Sequence, residues 1–342
     1  MTDFQLLITN WYRLNKRNLP WRGTQNPYFI WLSEIILQQT RVDQGMSYYY
    51  KFIEHYPTIQ DLAMASEQEI LNDWQGLGYY SRARNLHYTA KYICNQLENQ
   101  FPTSFVELKK LKGVGSYTAA AIASSAFNEK VAVVDGNVYR FLSRIYNIET
   151  PIDSSLGIKE FKTLADELIS EINPAEFNQA MMEFGAMHCT PVHPKCSSCP
   201  FDSKCLALKN NTISFRPVKS KKKAARKRFF YYSIFENPTE IVLQKREQKD
   251  IWQHLFEFPL LETENSLTDE EIIDHFEKDK YPKINHISIE YKHVLSHQHI
   301  FARFVHFKEI PSKFKKMCIQ KSNFQDYPLP RLIDKYLQNK AR

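Results

Sequence analysis

The stretch EFGAMHCTPVHPKCSSCPFDSKCLA, residues 183–207, holds four of the six cysteines in the chain. Cys189, Cys196, Cys199 and Cys205 read C-x6-C-x2-C-x5-C and fall within seventeen residues. Thiolates this close are drawn to one soft metal centre. A four-cysteine zinc site normally splits into two C-x2-C knuckles a dozen or more residues apart. Here Cys196 and Cys199 form one such pair, flanked by single cysteines. Compact four-thiolate runs suit a cube-shaped 4Fe–4S cluster better than zinc. Paired disulfides are the third reading, disfavoured because nothing in the sequence indicates export.

A chain of 342 residues is long enough for two domains and a sizeable core. Its hydrophobic content, 43%, is ordinary for a globular protein. The longest small apolar run, AAAIASSAF at 119–127, is too short to span a bilayer, so no membrane partner is expected. The opening MTDFQLLITN carries an acid and no basic n-region, so it does not read as a secretory signal. A cytoplasmic setting follows, in which thiols stay reduced and free for a metal. A net charge of +7 and a pI near 8.9 fit a polyanionic partner without requiring one. Cys94 and Cys318 are isolated and read as inert thiols.

Residues 1–215 read as mostly helical. Apolar residues recur at helical spacing through 4–14, 28–39, 47–56, 67–74, 81–97, 104–111, 116–127, 137–146 and 157–172. Residues 216–228, RPVKSKKKAARKR, hold eight Lys or Arg and read as a solvated basic linker. From 229 to 342 the pattern turns α+β. FFYYSIFE, EIVLQKRE, HISIEYKHVLS and HIFARFVHFKEI have strand composition, while TDEEIIDHFEK and LPRLIDKYLQ read as helices.

Several short stretches carry chemistry. LKGVGSYTAAAIA (111–123) places Gly113 and Gly115 at a turn before a helix. Glycine lets that turn run close to another surface, and the amides opening the helix would make an anion site suited to a DNA phosphate; an ordinary turn between two helices is the alternative, disfavoured beside the cysteine loop. In VAVVDGNVYRFLSR (131–144), Asp135 follows four apolar residues and precedes a helical run, where aspartate is a good N-cap. SEIILQQTRVDQ (33–44) sets Glu34 among apolar neighbours, where desolvation favours its protonated form. GLGYYSRARNL (76–86) offers Tyr79 and Tyr80 beside Arg82 and Arg84. Exposed aromatics of this kind suit insertion into a base stack, a role assigned to Tyr79.

Together these stretches resemble the helix-hairpin-helix DNA glycosylases of the endonuclease III and MutY types. The resemblance implies a mostly α N-terminal glycosylase domain with an iron–sulfur cluster loop, and an α+β Nudix-like C-terminal domain. The hairpin is similar to L-P-G-V-G, with Lys112 in place of proline; 131–144 is similar to V-D-G-N-V-x-R and 33–44 to S-E-x-M-L-Q-Q-T-x-V. LPWR (19–22) matches another block, and LFEFP (255–259) resembles F/L-W-E-F-P with Phe256 in place of Trp. HVLSHQH (293–299) resembles a lesion-reading loop with F-S-H, where Leu295 replaces the aromatic and weakens any wedge there. No acidic helix of the G-x5-E-x7-R-E-x2-E-E type is present, so nucleotide hydrolysis is not expected.

The resemblance also implies roles. Glu34 protonates the adenine and later activates water; Asp135 stabilises the sugar; Tyr117 holds that geometry. Bifunctional relatives carry a lysine two residues after the second hairpin glycine, where this chain has Tyr117, so a monofunctional enzyme is expected. Trp21, Arg22 and Gln179 line the adenine pocket. Gln39, Thr40, Leu77 and Tyr79 surround 8-oxoguanine, and Ser296 and His297 inspect it. Gly113 and Gly115 bind the DNA backbone, and the cluster orders a basic loop bearing Lys195 and Lys204 against phosphates. The expected partner is double-stranded DNA with adenine opposite 8-oxoguanine or guanine, bound by a monomer that is nucleoid-associated if bacterial. A lyase for oxidised pyrimidines is opposed by Tyr117, and a silent DNA-binding module by the presence of Glu34 and Asp135.

Overall fold

The computed structural model describes residues 2–169, 173–220 and 225–340. The chain divides into two units, residues 1–64 with 88–222, and residues 65–87 with 223–342. In chain order the helices are α1 (Asp3–Asn15), α2 (Pro27–Leu37), α3 (Val42–His55), α4 (Ile59–Met64), α5 (Glu67–Asp73), α6 (Ser81–Gln96), α7 (Phe105–Leu108), α8 (Ser116–Phe127), α9 (Gly136–Ile145), α10 (Ser155–Leu168), α11 (Pro174–Met187), α12 (Leu206–Lys209), α13 (Asp269–Lys278) and α14 (Arg331–Lys340). The division falls inside α6.

In the first unit, α1, α9 and α11 share a core of Ile8, Phe141, Phe161, Phe177, Phe184 and Phe201. Cys189, Cys199 and Cys205 pack against this same cluster. α8 is fully buried through Ala119–Ala123, and its small side chains let neighbouring helices come close. α11 was not foreseen. Its signals were present: Asn173 caps it by accepting from the Glu176 amide, and Pro174 occupies the first turn. The end of the expected helix 157–172 falls at 170–172, outside the described residues.

The second unit contains strands β1 (Arg226–Ile234), β2 (Glu240–Val242), β3 (Gln244–Lys245), β4 (Phe256–Glu257), β5 (Leu260–Thr263), β6 (Ile284–Ile287), β7 (Tyr291–Val294), β8 (Gln298–Phe307) and β9 (Cys318–Gln320). Its main sheet runs β5-β1-β8-β6, with β7 also paired to β8. β1 and β8 are parallel, and the other pairings in this sheet are antiparallel. Phe230, Tyr232, Ile300, Phe304 and Tyr336 are buried together, so the unit has its own core. The α+β expectation holds.

Two features go beyond the local sequence pattern. Residues 65–87, read as part of the helical domain, group with the C-terminal strands. Their tethers are non-local: Tyr80 donates to the Leu329 carbonyl at 3.3 Å, Arg84 to that of Gln253 at 2.6 Å, and His254 Nδ1 lies 2.6 Å from Glu67. The basic linker 216–228 is not solvated throughout. Residues 221–224 lie outside the described residues, but Arg216 and Arg228 are both buried. Arg228 sits in β1 and forms two-pronged pairs with Asp250 and Glu262, which explains how a guanidinium is tolerated there.

Candidate active site and cysteine loop

The first unit contains a cavity of about 610 Å³ lined by Trp21, Arg22, Glu34, Gln39, Thr40, Gly115, Tyr117, Asp135 and Gln179, among others. Glu34 reaches it from α2, whose apolar sequence leaves the residue only 8% exposed. Burial, with a smaller push from the nearby Asp135, raises the Glu34 carboxyl to about 7 against the Tyr117 phenol and Arg22, which oppose the rise. A carboxyl with that value shares its proton near neutrality, as a general acid must.

Asp135 is the N-cap of α9. Its Oδ1 accepts from the Asn137 amide at 2.9 Å and the Val138 amide at 2.8 Å, and its Oδ2 from Asn137 Nδ2 at 2.7 Å. Burial raises its pKa, against the pull of these donors, which favour the ionised form. α11 closes over this cap because residue 185 is glycine. A Cβ there would lie 2.6 Å from the Asn137 carbonyl oxygen. Arg140 ties the cap to the cysteine loop by donating to Asn137 Oδ1 and to the Cys189 carbonyl.

Tyr117 stands in the first turn of α8, faces Glu34 and Asp135, and donates to Met182 Sδ at 3.6 Å. Burial keeps its phenol protonated. Gly113 has φ +80°, a conformation that costs other residues energy, and Gly115 caps α8 without a side chain. The opening amides of α8 are therefore not covered by a capping side chain.

Cys189, Cys196, Cys199 and Cys205 line a second cavity in this unit, walled by Phe141, Phe184, Phe201 and Leu208. Burial pushes the Cys199 thiol up to about 11 and raises those of Cys196 and Cys205. Arg144 Nη1 lies 3.4 Å from Cys189 Sγ. Among the described residues no three Cys, His, Asp or Glu side chains converge as a single metal ion would require. Lys204, expected to be free for phosphate, pairs with Asp3.

In the second unit, Leu77 and Tyr79 line a cavity with Trp252, His293, Leu295 and Ser296. Tyr79 is 45% exposed with φ +49°, whereas Tyr80 is buried. Ser296 meets Tyr79 here, while His297 is exposed and is not part of this lining. Of the six residues expected around 8-oxoguanine, Gln39 and Thr40 belong to the first unit, and Leu77, Tyr79, Ser296 and His297 to the second. Sequence reading missed Arg17, Asn137, Met182 and Glu183, which also line the first cavity. Glu183 could have been found from its spacing, one helical turn beyond Gln179.

Residues 32–165 match the HhH-GPD superfamily of base excision DNA repair proteins, and residues 231–339 match a NUDIX domain. The first unit therefore defines a helix-hairpin-helix glycosylase, an enzyme that hydrolyses N-glycosyl bonds. An adenine DNA glycosylase of Buchnera aphidicola from Schizaphis graminum is 36% identical over 98% of both chains. One from Arabidopsis thaliana is 39% identical over 74% of this chain and 46% of its own. A solved thermostable thymine-DNA glycosylase superposes with a TM-score of 0.57 at 30% identity, covering 60% of this chain and 95% of its own. The chain belongs to the MutY-type adenine DNA glycosylase family. Among the described residues no helix is long and apolar enough to cross a membrane.

Proposed function

We propose that the protein is a monofunctional glycosylase that removes adenine paired with 8-oxoguanine or guanine from double-stranded DNA. It acts as a monomer in the cytoplasm, on the nucleoid if the source is bacterial. The observation that carries this reading is Glu34 and Asp135 in one cavity, with tyrosine rather than lysine at position 117. The adenine leaves the base stack and enters this cavity. Glu34 gives its proton to N7, the C1′–N9 bond breaks, and adenine departs with the bonding electrons. Asp135 stabilises the positive sugar, in the manner of paired carboxylates in glycosidases. Water then attacks C1′ and loses its proton to the Glu34 carboxylate, restoring the acid.

Trp21, Arg22 and Gln179 hold the base, and Gly113 and Gly115 bring the hairpin backbone to a phosphate. Gln39, Thr40, Leu77, Tyr79, Ser296 and His297 read the opposite base. The cysteines fit a 4Fe–4S cluster: the four thiols line one cavity walled by Phe141, Phe184, Phe201 and Leu208, and their compact spacing suits a cluster. Bound there, the cluster would cross-link residues 189–205. Glu34→Gln and Asp135→Asn keep shape and remove the proton or charge. Each should lower single-turnover adenine release at least about a hundredfold and spare duplex binding. A near-normal rate in either variant removes that residue from the mechanism.

A further inference from the structure

The Glu183 carboxylate is 1% exposed and accepts five N–H groups. Arg17 supplies its backbone amide at 2.9 Å, Nε at 2.9 Å and Nη2 at 2.7 Å. Arg22 supplies Nη1 at 3.1 Å and Nη2 at 2.7 Å, and its Nη1 also donates to the Arg17 carbonyl at 3.0 Å. The remaining nitrogen of Arg22, Nε, lies 3.1 Å from Gln179 Oε1. A guanidinium only donates, so the facing atom of Gln179 must be its oxygen. The amide NH2 is then left for an acceptor in the cavity, and a ring nitrogen of adenine is one.

We propose that Glu183 is a positioning residue for base removal: it fixes Arg22 so that Arg22 fixes Gln179, and its charge offsets two guanidinium groups beside the reaction centre. The inference rests on the adenine-excision reading above. Both oxygens of Glu183 are used, so a neutral or shorter side chain cannot hold both arginines in these positions. The carboxylate is buried while Arg17 stays a third exposed, and two-pronged charge-assisted pairs of this kind are held in one geometry. The electrostatic part follows from what surrounds the catalytic acid. Glu34 is faced by Tyr117 from α8, by Asp135 at the cap of α9 and by Arg22 from the segment before α2. Glu183 is faced by Arg17 and Arg22, with Tyr12 of α1 close to Arg22 and Asp43 of α3 acting on Arg17. Unopposed, Arg22 would pull the Glu34 proton off.

The test is the pH dependence of single-turnover adenine release by three full-length variants, with duplex affinity measured alongside. Glu183→Gln leaves two positive charges uncompensated. It should move the alkaline limb to lower pH and reduce the rate at neutral pH at least tenfold, with Kd changed less than threefold. Arg17→Gln removes a positive charge and should move the limb to higher pH. Arg13→Gln breaks an exposed pair between α1 and Glu176 of α11, away from Glu183, and should move neither. A role in packing alone predicts no opposed shifts. Limbs that stay in place, or move the same way, overturn the proposal. If Glu183→Gln does not fold, an unmoved limb in Arg17→Gln overturns it. A wild type that releases no adenine would instead sink the excision reading.

Discussion

The hydroxyl of Tyr79 lies 3.1 Å from Ser296 Oγ, although 217 residues separate them in sequence. Tyr79 is half exposed in a left-handed backbone conformation that a tyrosine adopts only when its surroundings hold it. Ser296→Ala removes the hydroxyl partner without touching the cavity that holds Glu34. It should leave adenine release from an A·G duplex within about twofold of wild type and reduce the preference for 8-oxoguanine over guanine several-fold. Competition between the two duplexes measures this; an unchanged preference would give the contact another purpose.

The buried Glu34 carboxyl sets a pH dependence. With its value near 7 it is protonated below that pH and ionised above it. Single-turnover release should be level below about pH 7 and fall roughly tenfold per unit above. Stability moves in the same sense. The folded value lies above the ordinary 4.5, so stability is fully present below about 4.5 and is lost as pH rises to about 7. Glu34→Gln, which carries no charge to bury, should therefore unfold at a higher temperature than wild type at pH 8. The gain is on the order of 3 kcal/mol at most. Calorimetry at pH 5 and 8 would show it, and equal differences at both values would contradict it.

In the proposed mechanism, Tyr117 decides between hydrolysis and strand cleavage. Its phenol is held protonated and is no amine, so borohydride should trap no wild-type complex with DNA. Tyr117→Lys places an amine facing Glu34 and Asp135 and should permit some trapping while slowing base removal. Efficient trapping by the wild type would identify another nucleophile.

The cysteine loop predicts a brown protein containing iron and inorganic sulfide. Cys199→Ser should cost folding or duplex affinity more than the rate of the bound complex, because the four cysteines are not among the residues lining the cavity that holds Glu34. Zinc without iron in the purified protein would remove the cluster.

At the hairpin, Gly113 has a positive φ that other residues adopt at a cost of roughly 1–2 kcal/mol. Gly113→Ala should weaken binding to any duplex several-fold and leave base preference unaltered. Fluorescence anisotropy with matched and mismatched duplexes checks both halves of this statement.

The sequence made most of the first unit legible because its signals are local. Apolar periodicity marked most of the helices, and Asp135 before a helical run marked an N-cap that the structure contains. What escaped depends on partners far away in the chain. Nothing near residues 65–87 announces that Tyr80 and Arg84 bond to the carbonyls of Leu329 and Gln253. Arg228 looked solvated because its neighbours are basic, whereas Asp250 and Glu262 that bury it come from elsewhere. Gln179 was named as a pocket residue without its helix, so Glu183, on the same face, went unseen.

The most direct test of the account is the release of free adenine from duplexes carrying A opposite 8-oxoguanine, G or T, followed by chromatography, with strands analysed before and after alkali. Adenine is expected from the first two duplexes, fastest opposite 8-oxoguanine, with little from A·T and strand breaks only after alkali. Release of an oxidised pyrimidine instead of adenine, or breaks without alkali, would contradict it.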